Sequence, residues 1–284
     1  MRQPSSVLFI AVDSLIPSRG RSIPGLDGFT ATLDHEGIPA VWLTSRSRLQ
    51  FDEPRRKHGH SHPFIVEDGC AVCLPEGYFH LRPESSNEKQ RKTSTIRLGR
   101  FTCIPIAERS PAAAEALETL SANLGVSVVT LCSLSPRELA QNTGLSQREA
   151  ELAKQRDFDE LFFFAGPTNN EIDRFLAEGS KRKLLFRRQG ALWSAAIGAS
   201  VQRCVREVSK LYDRALRYHA RVVGVATADL ASGLFPYCER ALLLSRNESE
   251  GDSQFGNEKS RIRAVPLHSD DVWDRVLETL AIRV

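Results

Sequence analysis

Residues 7–12, VLFIAV, are six consecutive apolar side chains with no polar residue in alternation. A strand with one wet face alternates polar and apolar; one that is apolar throughout is buried on both faces, as in a parallel sheet covered by helices. The pattern returns in 38–43 (IPAVWL), 221–226 (RVVGVA) and 241–244 (ALLL). Between the first two runs, residues 26–36 carry apolar side chains at 26, 29 and 33, with Gly37 after them. That is the spacing and stop signal of a short helix, and it makes a β-α-β unit. A long amphipathic helix is predicted over 198–219, with Val201, Val205, Val208, Leu211 and Leu216 near one face, and a closing helix over 272–282. The class is therefore α/β, with a doubly wound parallel sheet. Ligands bind such sheets beyond the carboxyl ends of the strands, where Asp13-Ser14 and Thr44-Ser45 fall.

The pattern is interrupted. Residues 84–95 (PESSNEKQRKTS) are polar and turn-rich. A strand-like TIRLGRFTCIPI and a helix-like PAAAEALETLSANLG follow. Ser135-Pro-Arg-Glu138 and Ser146-Gln-Arg-Glu149 each match a capping box, with Pro136 at a first helical position. Strands at 161–164 and 183–186 flank a helix at 170–178. This is an α+β insert, so the expected division is a core of 1–83 and 197–284 with an inserted cap of 84–196. Residues 245–262 read as a polar loop.

Charge and composition exclude several classes. With 38 Lys+Arg against 35 Asp+Glu the net charge is only +3, which gives no footprint for nucleic acid. Hydrophobic residues at 41% supply a core, so the chain is not disordered. The N-terminal apolar run is too short to span a membrane and lacks a cleavage pattern, so a soluble, cytoplasmic protein with no membrane partner is expected. Six cysteines (70, 73, 103, 132, 204, 238) in a chain of this length fit a reducing compartment better than a disulfide framework. Cys70-Ala-Val-Cys73 has metal spacing, and His58, His60 and His62 stand upstream. On one strand, positions three apart face opposite ways, so the thiols are expected to diverge. Structural cysteines beside a solvated His loop and a metal site both remain open.

Three segments carry a resemblance: PFIVEDGCAVCLPEGYF (63–79), SPRELAQNTGLSQREAELAKQRDFDE (135–160) and DDVWDRVLETL (271–281). They are similar to mannosyl-3-phosphoglycerate phosphatases, haloacid dehalogenase superfamily members with a type IIB cap. The resemblance implies a Rossmann-like core with a cap inserted between the second and third catalytic motifs. It also implies a chemistry. An aspartate attacks phosphorus, and a second, two residues on, protonates the leaving oxygen. A Ser or Thr hydroxyl and a Lys hold the phosphoryl charge, and further aspartates complete a Mg²⁺ site.

The motifs depart from that pattern. The first, Asp-x-Asp-Gly-Thr, is matched by Ala11-Val12-Asp13-Ser14-Leu15: Asp13 stands at the general-acid position and Ala11 at the nucleophile's. The second is intact as Thr44-Ser45-Arg46, whose hydroxyls fit phosphate contact or a helix N-cap equally. Counting back from Leu211-Tyr212 puts Val201 at the lysine position; Arg203 lies about 200° further round the helix. In the fourth motif Thr227 replaces the first aspartate and Asp229 is out of register. The cap's Gly-Gly-Arg-Phe is matched by Gly190-Ala191-Leu192-Trp193, without the arginine.

Losing a nucleophile alone removes roughly 10⁴–10⁶ in turnover, by analogy with serine hydrolases. The expectation is a catalytically silent homologue that binds a phosphorylated sugar or glycerate through Ser14, Thr44, Ser45, Arg46, Lys154 and Arg156, with no cofactor, although active relatives use Mg²⁺. Lys154 and Arg156 also fit a solvated helix end. The alternatives are a Mg²⁺-dependent sugar-phosphate phosphatase recruiting Asp13 or Asp229, and a subunit that binds a protein partner through an apolar patch.

Overall fold

The computed structural model describes residues 6–17, 22–79, 94–189, 192–245, 261–267 and 271–280. The first strands are β1 (Ser6–Ala11), β2 (Ala40–Leu43), β3 (Phe64–Val66) and β4 (Ala71–Pro75). Then come β5 (Ile96–Leu98), β6 (Phe101–Pro105), β7 (Val128–Thr130), β8 (Glu160–Phe164), β9 (Leu184–Gln189) and β10 (Leu192–Ile197). The last are β11 (Arg221–Thr227), β12 (Arg240–Ser245) and β13 (Ile262–Pro266). The helices in chain order are α1 (Leu26–His35), α2 (Arg48–Lys57), α3 (Ser110–Leu124), α4 (Pro136–Thr143) and α5 (Gln147–Lys154). They continue with α6 (Asn169–Lys181), α7 (Val201–Leu216), α8 (Ala228–Leu234) and α9 (Val272–Thr279).

Nine strands form one sheet in the order β13-β12-β11-β1-β2-β3-β4-β6-β5, parallel from β13 to β3 and antiparallel beyond. The run VLFIAV lies in its middle, with Phe9 opposite Gly224 on one side and Val41 on the other. Alternate residues feed two apolar layers. Leu8, Ile10 and Val12 pack with α1 and α9, and Phe9 and Ala11 pack with α7 and α8. The unbroken apolar strand thus fills both layers, as a doubly wound sheet requires. The second sheet, β7-β8-β10-β9, is antiparallel and carries the α+β cap. Its strands pack with α3 and α6, and both predicted capping boxes form at Ser135 and Ser146.

Two features differ from the sequence reading. Strands β5 and β6 fall inside the interval expected as cap, yet they pair through β4 with the larger sheet, because Phe101 and Cys103 fill the layer under Phe64 and Trp42. Helix α2 was not expected: Pro54 and a run of charges hide its period. Its buried Arg55 instead stacks its guanidinium over Phe64 and Phe101, at 5.0 and 4.9 Å, and donates to the His60 carbonyl at 2.8 Å. Of the polar connections read at 84–95 and 245–262, residues 84–93 and 246–260 lie outside the described residues, while Ser245 ends β12 and Ile262 begins β13.

The cysteine geometry is also corrected. Strand β4 begins at Ala71, so Cys70 sits in the turn before it and packs into the same apolar layer as Cys73. The Cys73 thiol faces Cys103 across the strands, Sγ to Sγ 3.3 Å. The histidines go elsewhere: His58 to Asp27 and Ser22, His60 to the Ala40 carbonyl, and His62 to Tyr78 and Asp34. No cluster of three or more His, Cys, Asp or Glu side chains among the described residues is arranged to hold a metal ion.

Candidate functional site

The carboxyl ends of β1, β2, β3 and β11 open into one cleft of about 450 Å³, roofed by β9 of the cap. At the end of β1 the residue facing it is Ala11, and Asp13 follows two positions on. The Asp13 carboxylate is held from the end of β2. The Thr44 hydroxyl donates to Oδ1 at 2.5 Å and the Ser45 backbone N–H to Oδ2 at 2.7 Å. Arg46 lies 3.8 Å from Oδ1, but its guanidinium turns back to the Ile16 carbonyl. The two readings of Thr44-Ser45 are thereby separated: Ser47 caps α2, with the full reciprocal box to Gln50, so neither Thr44 nor Ser45 is spent on capping.

The β3–β4 turn supplies a carboxylate that the sequence reading passed over. Glu67, Asp68 and Gly69 all have positive φ (52°, 53° and 94°), which lifts Asp68 into the cleft. Only glycine fits after it, since a Cβ on Gly69 would lie 2.6 Å from the backbone nitrogen of Val201. That close approach seats the start of α7, with Ser200 N–H donating to the Gly69 carbonyl at 3.0 Å, and leaves Val201 on the cleft wall. Burial, with the Asp13 charge beside it, pushes the Asp68 carboxyl up to about 6; Arg187 opposes the shift.

A third carboxylate comes from the end of β11. Asp229 accepts the Thr227 hydroxyl at 2.5 Å and the Ser14 hydroxyl at 3.0 Å. The opposite wall is cationic: Arg187 and Arg188 line the cleft from β9, beside Phe186. Among the described residues the Arg187 Nε is buried without a hydrogen-bond partner. The cleft therefore has a floor of acceptors and a roof of donors.

Relatives agree with this architecture. The chain is 24% identical over 214 residues to a glucosyl-3-phosphoglycerate/mannosyl-3-phosphoglycerate phosphatase of Methanococcoides burtonii, covering 74% of this chain and 71% of that protein. It is 28% identical over 143 residues to a protein of the same description from Persephonella marina, covering 50% and 46%. A haloacid dehalogenase-like hydrolase from Bacteroides thetaiotaomicron superposes with a TM-score of 0.61 at 11% identity, covering 96% and 99%. A sugar phosphatase of the superfamily's subclass IIB superposes with a TM-score of 0.58 at 12% identity, covering 98% and 100%. The chain thus has the fold of these haloacid dehalogenase-like structures and is similar in sequence to the two phosphatases. No protein-family model matches it.

The cleft brings together Ala11, Asp13, Thr44 and Ser45, with Ser14 behind Asp229. It does not bring in Lys154 or Arg156. Lys154 donates to the Leu134 carbonyl within the cap. Arg156 is buried, pairs with Asp159, and donates to the Ser45 carbonyl at 2.7 Å and to Gln50 at 3.2 Å. Beside it the Glu67 carboxylate accepts the backbone N–H groups of Asp157, Phe158 and Asp159 at 3.0, 2.8 and 2.9 Å. Burial and the Asp159 charge push Glu67 up to about 8. Arg156 thus joins cap to core, while Lys154 stays within the cap. Arg203, the other lysine stand-in considered, donates to the Ile106 carbonyl at 3.3 Å. Gly190 and Ala191 of the cap turn lie outside the described residues. Arg187 and Arg188 belong to no motif of the family pattern; two arginines ending the apolar run LLF are their only signal in the sequence.

The residues present do not fit the Mg²⁺ that the family resemblance implies. Ala11 brings a methyl group to the strand end where an oxygen ligand is required. Thr227 stands where the family pattern has its first fourth-motif aspartate, and Asp229, out of register, is held by the Thr227 and Ser14 hydroxyls. No step is therefore derived through a metal ion.

Proposed function

We propose that this chain binds a phosphorylated sugar or glycerate in the cleft and does not hydrolyse it. One observation carries the reading: Ala11, with no lone pair, is the side chain facing the cleft at the end of the central strand. An attacking carboxylate is needed to form the aspartyl-phosphate on which superfamily turnover rests. Three further features support it. Val201 lines the wall where a lysine is expected. Asp13 is hydrogen-bonded on both oxygens. The curated relatives are described as acting on phosphorylated glycosyl-glycerates. The competing subunit reading has less support, since Tyr237 is the one large apolar side chain exposed among the described residues. Atypical turnover would have to start from Asp13, Asp68 or Asp229.

The test is phosphate release from mannosyl-3-phosphoglycerate with Mg²⁺, comparing wild type with Asp13→Asn. Neither protein is expected to release phosphate above a buffer blank. Release by the wild type that disappears in the variant would sink the non-catalytic reading and give Asp13 a chemical role.

A further inference from the structure

The two walls of the cleft carry opposite formal charge, and this bears on how a ligand would lie. The floor presents Asp13, Asp68 and Asp229, while the position expected to hold a lysine is Val201. Arg46, the nearest cation to Asp13, is turned to the Ile16 carbonyl. A phosphate dianion set on this floor would face three carboxylates at short range, with Arg46 already 3.8 Å from Asp13, and Coulomb repulsion in a partly desolvated cleft opposes it. The floor already shows that strain, because burial and Asp13 hold the Asp68 carboxyl up at about 6. The roof has the complementary character. Arg187 and Arg188 line the roof, and the buried Arg187 Nε is a donor without an acceptor, a cost that an incoming oxyanion relieves. Guanidinium groups match phosphate oxygens in planar, paired geometry, whereas carboxylates accept from hydroxyl groups.

Building on the non-catalytic reading, we propose that a phosphorylated sugar or polyol lies reversed in this cleft, its phosphate on Arg187 and Arg188 of the cap and its hydroxyl groups on the core carboxylates, with no metal ion. In this seating the two arginines take the charge that would otherwise need a cation on the floor. The phosphorus lies away from the ends of β1 and β11, so neither Asp13 nor Asp229 reaches it. The cleft volume of about 450 Å³ accommodates a ligand of this class.

Calorimetric titration of the full chain with mannosyl-3-phosphoglycerate and with its phosphate-free counterpart, mannosylglycerate, in EDTA and in Mg²⁺, tests the seating. The phosphorylated probe should bind at least about tenfold more tightly in EDTA, with no gain from Mg²⁺. Arg187→Gln should erase that preference and leave mannosylglycerate binding unchanged, while Arg187→Lys restores part of it. Should Arg187→Gln not fold, Arg188→Gln carries the same comparison. Asp229→Asn should weaken both probes alike. Binding that needs Mg²⁺, or a phosphate preference indifferent to both arginines, overturns the reversed seating while the non-catalytic reading stands. Mg²⁺-dependent phosphate release overturns the non-catalytic reading itself. No heat from either probe overturns both.

Discussion

Glu67 and Asp68 are neighbours in one turn with nearly the same backbone conformation, φ 52° and 53°, yet they serve different ends. Glu67 turns inward, where three backbone N–H groups converge on its carboxylate beside Arg156 and Asp159. Every strong acceptor there meets a donor. Asp68 turns outward onto the cleft floor beside Asp13, with the donors of Arg187 and Arg188 on the opposite wall. Ionic groups whose partners lie in the same chain join core to cap. Ionic groups that line an open cleft make a place for something else. The contrast separates the structural cations from those lining the cleft, and Arg156, which the sequence fits to a ligand contact or a solvated helix end, lies among the former.

The largest effect expected from breaking that contrast is on Arg156. Arg156→Met leaves Asp159 buried without its counter-charge, and removing one partner of a buried ion pair costs about 3–5 kcal/mol. Urea denaturation should show that loss, with little change in the affinity of the folded fraction for mannosyl-3-phosphoglycerate. A variant of full stability and lost affinity would return Arg156 to the cleft. Next comes Gly69→Ala. The new Cβ meets the Val201 nitrogen at 2.6 Å and the Ser200 carbonyl carbon at 2.9 Å, at φ +94°. Strain of both kinds should cost about 2–4 kcal/mol and displace the start of α7. A melting temperature equal to wild type would show that the turn is looser than this contact implies.

The strands that define the fold were legible because burial on both faces leaves an unbroken apolar run. Residues 7–12 and 221–226 are read directly as β1 and β11. The ends of those strands were legible for the same reason, and Ala11 and Asp13 fall on the cleft as expected. Helix α2 was not legible, since its core contact is a buried arginine over two phenylalanine rings. A hydrophobic period cannot register such a contact. Nor were Arg187 and Arg188, whose relevance depends on where β9 lies above the sheet. Spacing along the chain does not report a meeting between two sheets, so the roof of the cleft emerged only in three dimensions.

Titration sharpens the difference between the two neighbours. Both carboxyls are raised, Asp68 to about 6 and Glu67 to about 8, so the folded chain holds these protons longer than the unfolded chain does. Their contribution to stability is complete below the unfolded values near 4. It is lost as pH rises, through about 6 for Asp68 and about 8 for Glu67. Asp68→Asn should remove the lower of these two losses and stabilise the protein by about 1–2 kcal/mol at neutral pH, with little change near pH 4. Chemical denaturation across that range checks it. A variant that is less stable at neutral pH would mean that Asp68 is held as a carboxylate by its neighbours.

The smallest effect belongs to Lys154, which separates the two regions most finely because it sits two residues from Arg156. Its ammonium donates to the Leu134 carbonyl at the end of α5, inside the cap, and the side chain is only half-buried. Lys154→Ala gives up one charge-assisted hydrogen bond that water replaces in part, worth about 0.5–1 kcal/mol. Binding of mannosyl-3-phosphoglycerate should not change, since the cation faces its own cap and not the cleft. A fall in affinity for the phosphorylated probe alone would show that Lys154 releases Leu134 to reach the ligand. The cationic roof would then extend from β9 to α5, and the boundary between the joining charges and the binding charges would run between Lys154 and Arg156.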